Sequence, residues 1–222
     1  MVEWRPSWRI IPSRFPSESL FDRVADPADL EAVYAIEALT NQRLRQEVGE
    51  ISLVAPEDRV SGPGSTPVMA AFTHLNPTGS RFSDGSFGVY YAGGSLDTAI
   101  AETRFHRERF MAATAQPAME LDMRTYLANV SARLIDIRGR KDLKALYDPD
   151  SYLASQPFGV IQRRAGTWGI VYDSVRWPDG ECVALFKPRA LKHCRQGAHL
   201  VYAWNGQRIE AVYEKRLYAT YS

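Results

Sequence analysis

The sequence predicts an α+β fold, with about seven strands and three helices that do not alternate strictly enough for a doubly wound sheet. Three observations carry this expectation. Short runs of alternating or β-branched residues recur along the chain. Only a few segments carry helical starts and stops. The last two apolar runs are joined by Asn205-Gly206, a pair that tolerates the positive φ of a tight hairpin turn.

Taken in order, WRII (Trp8 to Ile11) is aromatic and β-branched and ends at Pro12, as an opening strand should. Asp26-Pro27-Ala28-Asp29 then supplies an N-cap, a proline in the first turn and an early acidic residue, leading into the amphipathic helix LEAVYAIEALTNQRLRQE. From Val54 to Pro67 the chain is rich in Pro, Gly and Ser and reads as irregular. A strand is expected from Phe87 to Ala92. Gly93-Gly94 breaks it, and Ser95 caps a helix running to about Met111.

Alternation in Ala118 to Val130 and in Arg133 to Ile137 predicts two strands with a turn near Asn129 to Ser131. Tyr152 to Arg164 reads as a helix closed by Gly166. Strands are then expected over Gly169 to Arg176, Cys182 to Lys187 and the C-terminal pair HLVYAW and RIEAVYE.

With 222 residues, 45% of them hydrophobic and 24% charged, the chain has the composition of an ordinary globular protein, one domain with an appendage. The charges nearly cancel, 27 basic against 26 acidic for a net +1, so no overall field draws DNA or an anionic membrane. The N-terminal residues lack the ~7–15-residue apolar segment of a signal peptide, and no run approaches the ~18 apolar residues of a membrane span. Cys182 and Cys194 make no disulfide framework, and neither they nor the four histidines have metal-ligand spacing. The expected setting is therefore reducing and cytoplasmic, with no metal and no direct nucleic-acid contact. Signatures of zincins, Walker loops, nucleophile elbows and dinucleotide folds are missing.

The chemistry concentrates in GSRFSDGSFGVYYAGGSLDTAIAETRFH. Arg81 lies in a polar, glycine-rich segment, where its planar fork of donors suits a phosphate or carboxylate; a solvated loop arginine would look the same. Tyr90 and Tyr91 point to opposite faces of their strand, and the sequence does not say which face a ligand would meet. Glu102 sits at the edge of the stripe formed by Leu96, Ala99, Ile100 and Thr103, where a carboxylate needs a partner or a task. His106 follows one turn later. Ser174 interrupts an apolar strand and could bond a ligand or its own backbone.

Taken together, Arg81, Tyr91 ten residues on, Glu102 eleven further and the later GIVYDSVR resemble the RES domain family, named for its Arg, Glu and Ser. GSRFSDG is similar to the family's glycine-flanked arginine motif, GVYYA to its tyrosine strand, LDTAIAE to its helix ending in glutamate, and Gly169 to Ser174 to its serine strand. WRII resembles the opening strand.

The resemblance implies an ADP-ribosyltransferase-like fold, two packed β-sheets with flanking helices and a cleft between them. The whole of residues 1–222 would be one domain, with 12–78 as a partly helical insert and 79–188 as the motif-bearing core. It implies a bacterial toxin paired with an Xre-type antitoxin, which breaks the nicotinamide N-glycosidic bond of NAD and passes ADP-ribose to inorganic phosphate. The alternatives are mono-ADP-ribosylation of a protein, or a binding module without turnover. Arg81, Tyr91 and Glu102 would be catalytic, while Arg9, Ser155 and Ser174 would contact NAD. NAD is the substrate, and no metal is implied.

Overall fold

The structure, a computed structural model, describes residues 1–13 and 49–220. The helix expected after Asp26 lies outside the described residues. The α+β class holds. Eight strands are connected by hydrogen bonds: β1 (Val2–Pro12), β2 (Tyr90–Gly93), β3 (Met119–Ala132), β4 (Ile135–Asp136), β5 (Gly169–Asp173), β6 (Glu181–Leu185), β7 (Leu191–Trp204) and β8 (Ile209–Lys215). Three α-helices accompany them among the described residues: α1 (Ser65–Thr73), α2 (Leu96–Ala113) and α3 (Ser155–Arg164).

The strands run in the order β4-β5-β6-β2-β1-β3-β7-β8. Only β4 and β5 are parallel. β1 and β2 meet at a single residue pair, Trp8 opposite Gly93, whereas the pairings on either side of that junction extend over many residues. The two sheets that the resemblance implies are thus two four-stranded halves, β4-β5-β6-β2 and β1-β3-β7-β8, joined at one point.

Both halves feed one apolar core. Tyr90, Ala92, Val171, Val183 and Leu185 come from the first half, Ala128, Val130 and Leu191 from the second, and Val68, Met69 and Phe72 from α1. Burying side chains of this size contributes roughly 1.5–3 kcal/mol each. A second core lies on the other face of the first half, where Phe82, Ile170, Tyr172 and Phe186 meet Leu146 and Phe158 of α3. α2 closes the third, packing Ala99 and Met111 on Ile10, Met123, Leu200, Tyr202 and Trp204.

Several boundaries move from their predicted places. β3 continues through Asn129 to Ser131, where a turn was expected, because β1 pairs with it on one side and β7 on the other through Val130. The hairpin between β7 and β8 is a four-residue loop, not a two-residue turn. Asn205 Oδ1 accepts from the amides of Gln207 and Arg208, and only Gly206 has a positive φ, 98°. β2 begins at Tyr90, three residues late. α1 starts inside a segment that reads as irregular; its cue was Pro67 in the first turn, obscured by the glycines before it.

Candidate functional site

The site is built on α2. Ser95 caps it, its Oγ accepting from the Thr98 amide at 3.1 Å, as the sequence predicts. Gly93 allows the close approach of helix and strand, since a Cβ there would stand 2.8 Å from the Ala99 nitrogen. Halfway along α2, the Thr103 and Tyr202 hydroxyls share a 2.8 Å hydrogen bond, which ties the helix to β7 and fixes its rotation. Glu102, the preceding residue, is thereby turned toward the ends of β5 and β6.

There the Ser174 Oγ donates to Glu102 Oε1 at 2.7 Å. A hydroxyl carries one proton and two lone pairs. The amides of Arg176 and Trp177 donate to Ser174 Oγ at 3.1 and 3.0 Å and occupy its acceptor positions, so its proton is directed at the carboxylate. β5 stops at Asp173 to make this turn, which the Ser174 amide closes on the Gly180 carbonyl at 2.7 Å. The expected strand over Gly169 to Arg176 is accordingly shorter, and the interruption that singled out Ser174 in the sequence is the turn itself.

Cys182, opposite Tyr172 on β6, places its Sγ 3.8 Å from the same Oε1. Burial, reinforced by the Glu102 charge, pushes the thiol well above its ordinary pKa, so it remains a neutral donor. Sequence reasoning missed this contact, because the partner lies eighty positions away.

Arg81 is 7% exposed. Its Nη1 donates to the carbonyls of Leu146 and Asp148 at 2.9 and 3.0 Å, and the guanidinium lies over the Tyr152 ring at 4.9 Å. Nη2 and Nε make no hydrogen bond among the described residues, leaving half the fork available to an anion. Tyr91 anchors the loop that carries Arg81: its hydroxyl bonds Ser80 Oγ at 2.8 Å and accepts from the Phe82 amide at 2.9 Å. Burial pushes its pKa up to about 12. Behind this loop α3 packs at Gly159, where a Cβ would collide with the Phe82 carbonyl.

Arg176 completes the wall. Its guanidinium stacks on the Phe105 ring at 3.3 Å and donates to the Pro149 carbonyl, beside the carbonyls that hold Arg81. Desolvation lowers its pKa while Glu102 opposes the shift. His106 is also lowered, first by desolvation, with the Glu102 charge pulling the other way and Arg176, Arg107 and Arg81 adding to the depression. Glu102 and Arg81 thus both lie within electrostatic range of Arg176 and His106. Arg176 carried no individual signal in the sequence, although it stands two residues after Ser174.

Arg9 and Ser155, also expected to contact NAD, make their hydrogen bonds to backbone carbonyls. Arg9 is on the opposite face of β2: it stacks at 4.6 Å on Tyr90, whose ring enters the shared core, and Nη1 donates to the Tyr91 carbonyl at 3.1 Å. Tyr90 and Tyr91 point to opposite faces of β2, so Arg9 stacks on the face away from the tyrosine that anchors the Arg81 loop. Ser155 is 1% exposed and bonds the Tyr152 carbonyl of its own turn at 3.4 Å, beside the ring on which Arg81 lies. Among the described residues, no group of three or more His, Cys, Asp or Glu side chains could hold a metal ion, and no helix is long and apolar enough to cross a membrane.

The RES domain family profile matches residues 56–205 of this chain. The chain belongs to the RES domain family. This family acts on NAD, and the match takes in Arg81, Tyr91, Glu102 and Ser174 while leaving β1, and with it Arg9, outside. The RES chain is 32% identical over 206 residues to the uncharacterized protein y4oC of Sinorhizobium fredii (strain NBRC 101917 / NGR234), covering 93% of this chain and 86% of that protein. Among solved structures, it is similar to a chain of the M. tuberculosis MbcT-MbcA toxin-antitoxin complex, with a TM-score of 0.43 and 12% identity over 55% of this chain and 73% of that one.

Proposed function

We propose that this RES protein cleaves the nicotinamide N-glycosidic bond of NAD and transfers ADP-ribose to inorganic phosphate. The observation that carries the reading is the Ser174-tethered carboxylate of Glu102, at 2.7 Å, with the half-free guanidinium of Arg81 acting on the same neighbours, His106 and Arg176. Nicotinamide is cationic while attached and leaves neutral, taking the bonding electron pair, so the leaving group needs no proton. The difficulty is the positive charge that develops on the ribose. A fixed carboxylate beside that carbon stabilises it, as carboxylates do in glycoside hydrolysis.

Glu102 takes this role, and Ser174 holds its orientation before the reaction begins, so no reorganisation is needed in the transition state. Arg81 binds the diphosphate or the incoming phosphate through Nη2 and Nε. Arg176 supplies a second positive charge nearby. Tyr91 holds the Arg81 loop in place through its hydroxyl. The phosphate oxygen forms the new bond to the ribose carbon as the bond to nicotinamide breaks. An antitoxin of Xre type would be the regulatory partner, acting by covering this cleft.

Incubating the purified protein with NAD, with and without phosphate, tests the reading. Phosphate-dependent release of nicotinamide together with ADP-ribose 1″-phosphate is expected. Release that ignores phosphate and labels a protein would replace phosphate by a protein acceptor, and no release under either condition would remove the enzymatic reading.

A further inference from the structure

A groove of about 240 Å³ runs along the outer side of α2, lined by Ile100, Ala101, Arg104 and Phe105 on the helix and by Arg176 and Trp177 from the turn after β5, with Asp97 at the N-terminal end. Arg176 belongs both to this groove and to the wall of the Glu102 cleft, so the two spaces adjoin at its guanidinium. We propose that the groove is the adenine subsite of the dinucleotide, an inference that rests on the NAD reading above.

Size, shape and charge favour one flat ring system joined to phosphate. Sites for drug-sized ligands enclose roughly 300–1,000 Å³, so a space of this size takes a fragment and not a whole dinucleotide. Trp177 is 45% exposed, an indole face held at the surface beside the half-buried Phe105. Nucleobases stack on such faces without needing a particular hydrogen-bond pattern. Arg104 and Arg176 flank the rings with positive charge suited to a phosphate.

Two of the acidic residues on this helix face have different roles. Glu108 is committed, accepting from the Ile209 amide at 2.9 Å and facing Arg104 at 3.6 Å. Asp97 has no hydrogen-bond partner among the described residues and offers an acceptor to an exocyclic amine. A base in the groove directs its phosphates past Arg176 toward Arg81 and brings the second ribose to Glu102. The subsite thereby uses binding energy far from the reacting bond to orient it.

Calorimetric binding of AMP and of nicotinamide mononucleotide to the full chain, as wild type and as Trp177→Ala, is the test. The Trp177 amide that bonds Ser174 is backbone, so the substitution leaves the carboxylate's tether intact. AMP affinity should fall about tenfold or more in the variant, the usual effect of removing one stacked ring. Nicotinamide mononucleotide affinity should not change. Equal AMP affinity in the two proteins, or equal losses for both nucleotides, would overturn the assignment. AMP binding that depends on Trp177 in a protein that leaves NAD intact would keep the groove as an adenine site and discard the proposed reaction.

Discussion

On the Tyr91 side of β2 stand a hydroxyl with two partners, an arginine held by two carbonyls and a serine-tethered carboxylate. On the Tyr90 side, a fully buried hydroxyl with no hydrogen-bond partner among the described residues lies beside Arg9, on which Tyr90, Cys194 and Tyr91 act electrostatically. Both faces pair an arginine with a tyrosine. The first has its polar groups arranged around a carboxylate and can stabilise developing positive charge. The second tolerates polar groups inside a core. Composition alone would not separate them; strand parity and the position of Glu102 do.

The largest effect that would break or sharpen this contrast is expected at the carboxylate. Glu102→Gln is nearly isosteric and can still accept from Ser174, so the fold should persist while kcat for NAD falls by about 10²–10³, the usual loss when a preorganised charge-stabilising group is removed. Ser174→Ala, which keeps the charge and frees its orientation, should lower kcat by less and leave KM near the wild-type value. Steady-state kinetics with circular dichroism as a fold control reads both. Full activity in Glu102→Gln would erase the distinction between the faces.

Next come the arginines. Arg81→Lys retains charge and loses the fork; kcat/KM should drop about tenfold or more, because hydrogen bonds to charged groups contribute roughly 1.5–3 kcal/mol. Arg9→Lys, on the opposite face, should leave NAD kinetics unchanged and act on stability alone. If the two variants lose kcat/KM equally, Arg9 reaches the substrate after all.

The smallest effect is in the tyrosines. Tyr91→Phe removes a hydroxyl that serves two partners and should cost about 1–2 kcal/mol in urea unfolding, whereas Tyr90→Phe removes an unpartnered one and should be neutral or stabilising. The Tyr91 phenol also makes a pH prediction. Its folded pKa, about 12, lies above the ordinary 10.0, so its contribution is complete below pH 10 and is lost as pH rises from 10 toward 12. In Tyr91→Phe, alkaline destabilisation across that window should be weaker than in the parent.

Much of the candidate site was legible because its residues are close together in sequence and carry local signals. Ser95 caps α2 where a cap is expected, Thr103 lies on the buried side, and Glu102 stands at its margin. What was illegible depended on distance or parity. The Cys182 contact joins β6 to α2 across eighty positions, Arg176 is recruited by a ring on α2 that no local pattern announces, and the stacking of Arg9 on Tyr90 depends on which way two separate strands face. The fold shows the same division. Strands with alternating residues were found, while the continuity of β3 past Asn129 came from neighbours on both sides, and α1 formed in spite of the glycines that precede it.

The single Trp8–Gly93 pairing has a practical consequence for anyone cutting the gene. β1 is first in the chain but stands in the middle of the sheet, between β2 and β3. A fragment trimmed to the family match at 56–205 would retain Arg81, Tyr91, Glu102 and Ser174, yet lose both this central strand and the edge strand β8. It would leave β2 and β3 with unpaired backbone facing each other across a gap, an invitation to aggregate. The borders of recognisable sequence are therefore not the borders of a foldable unit.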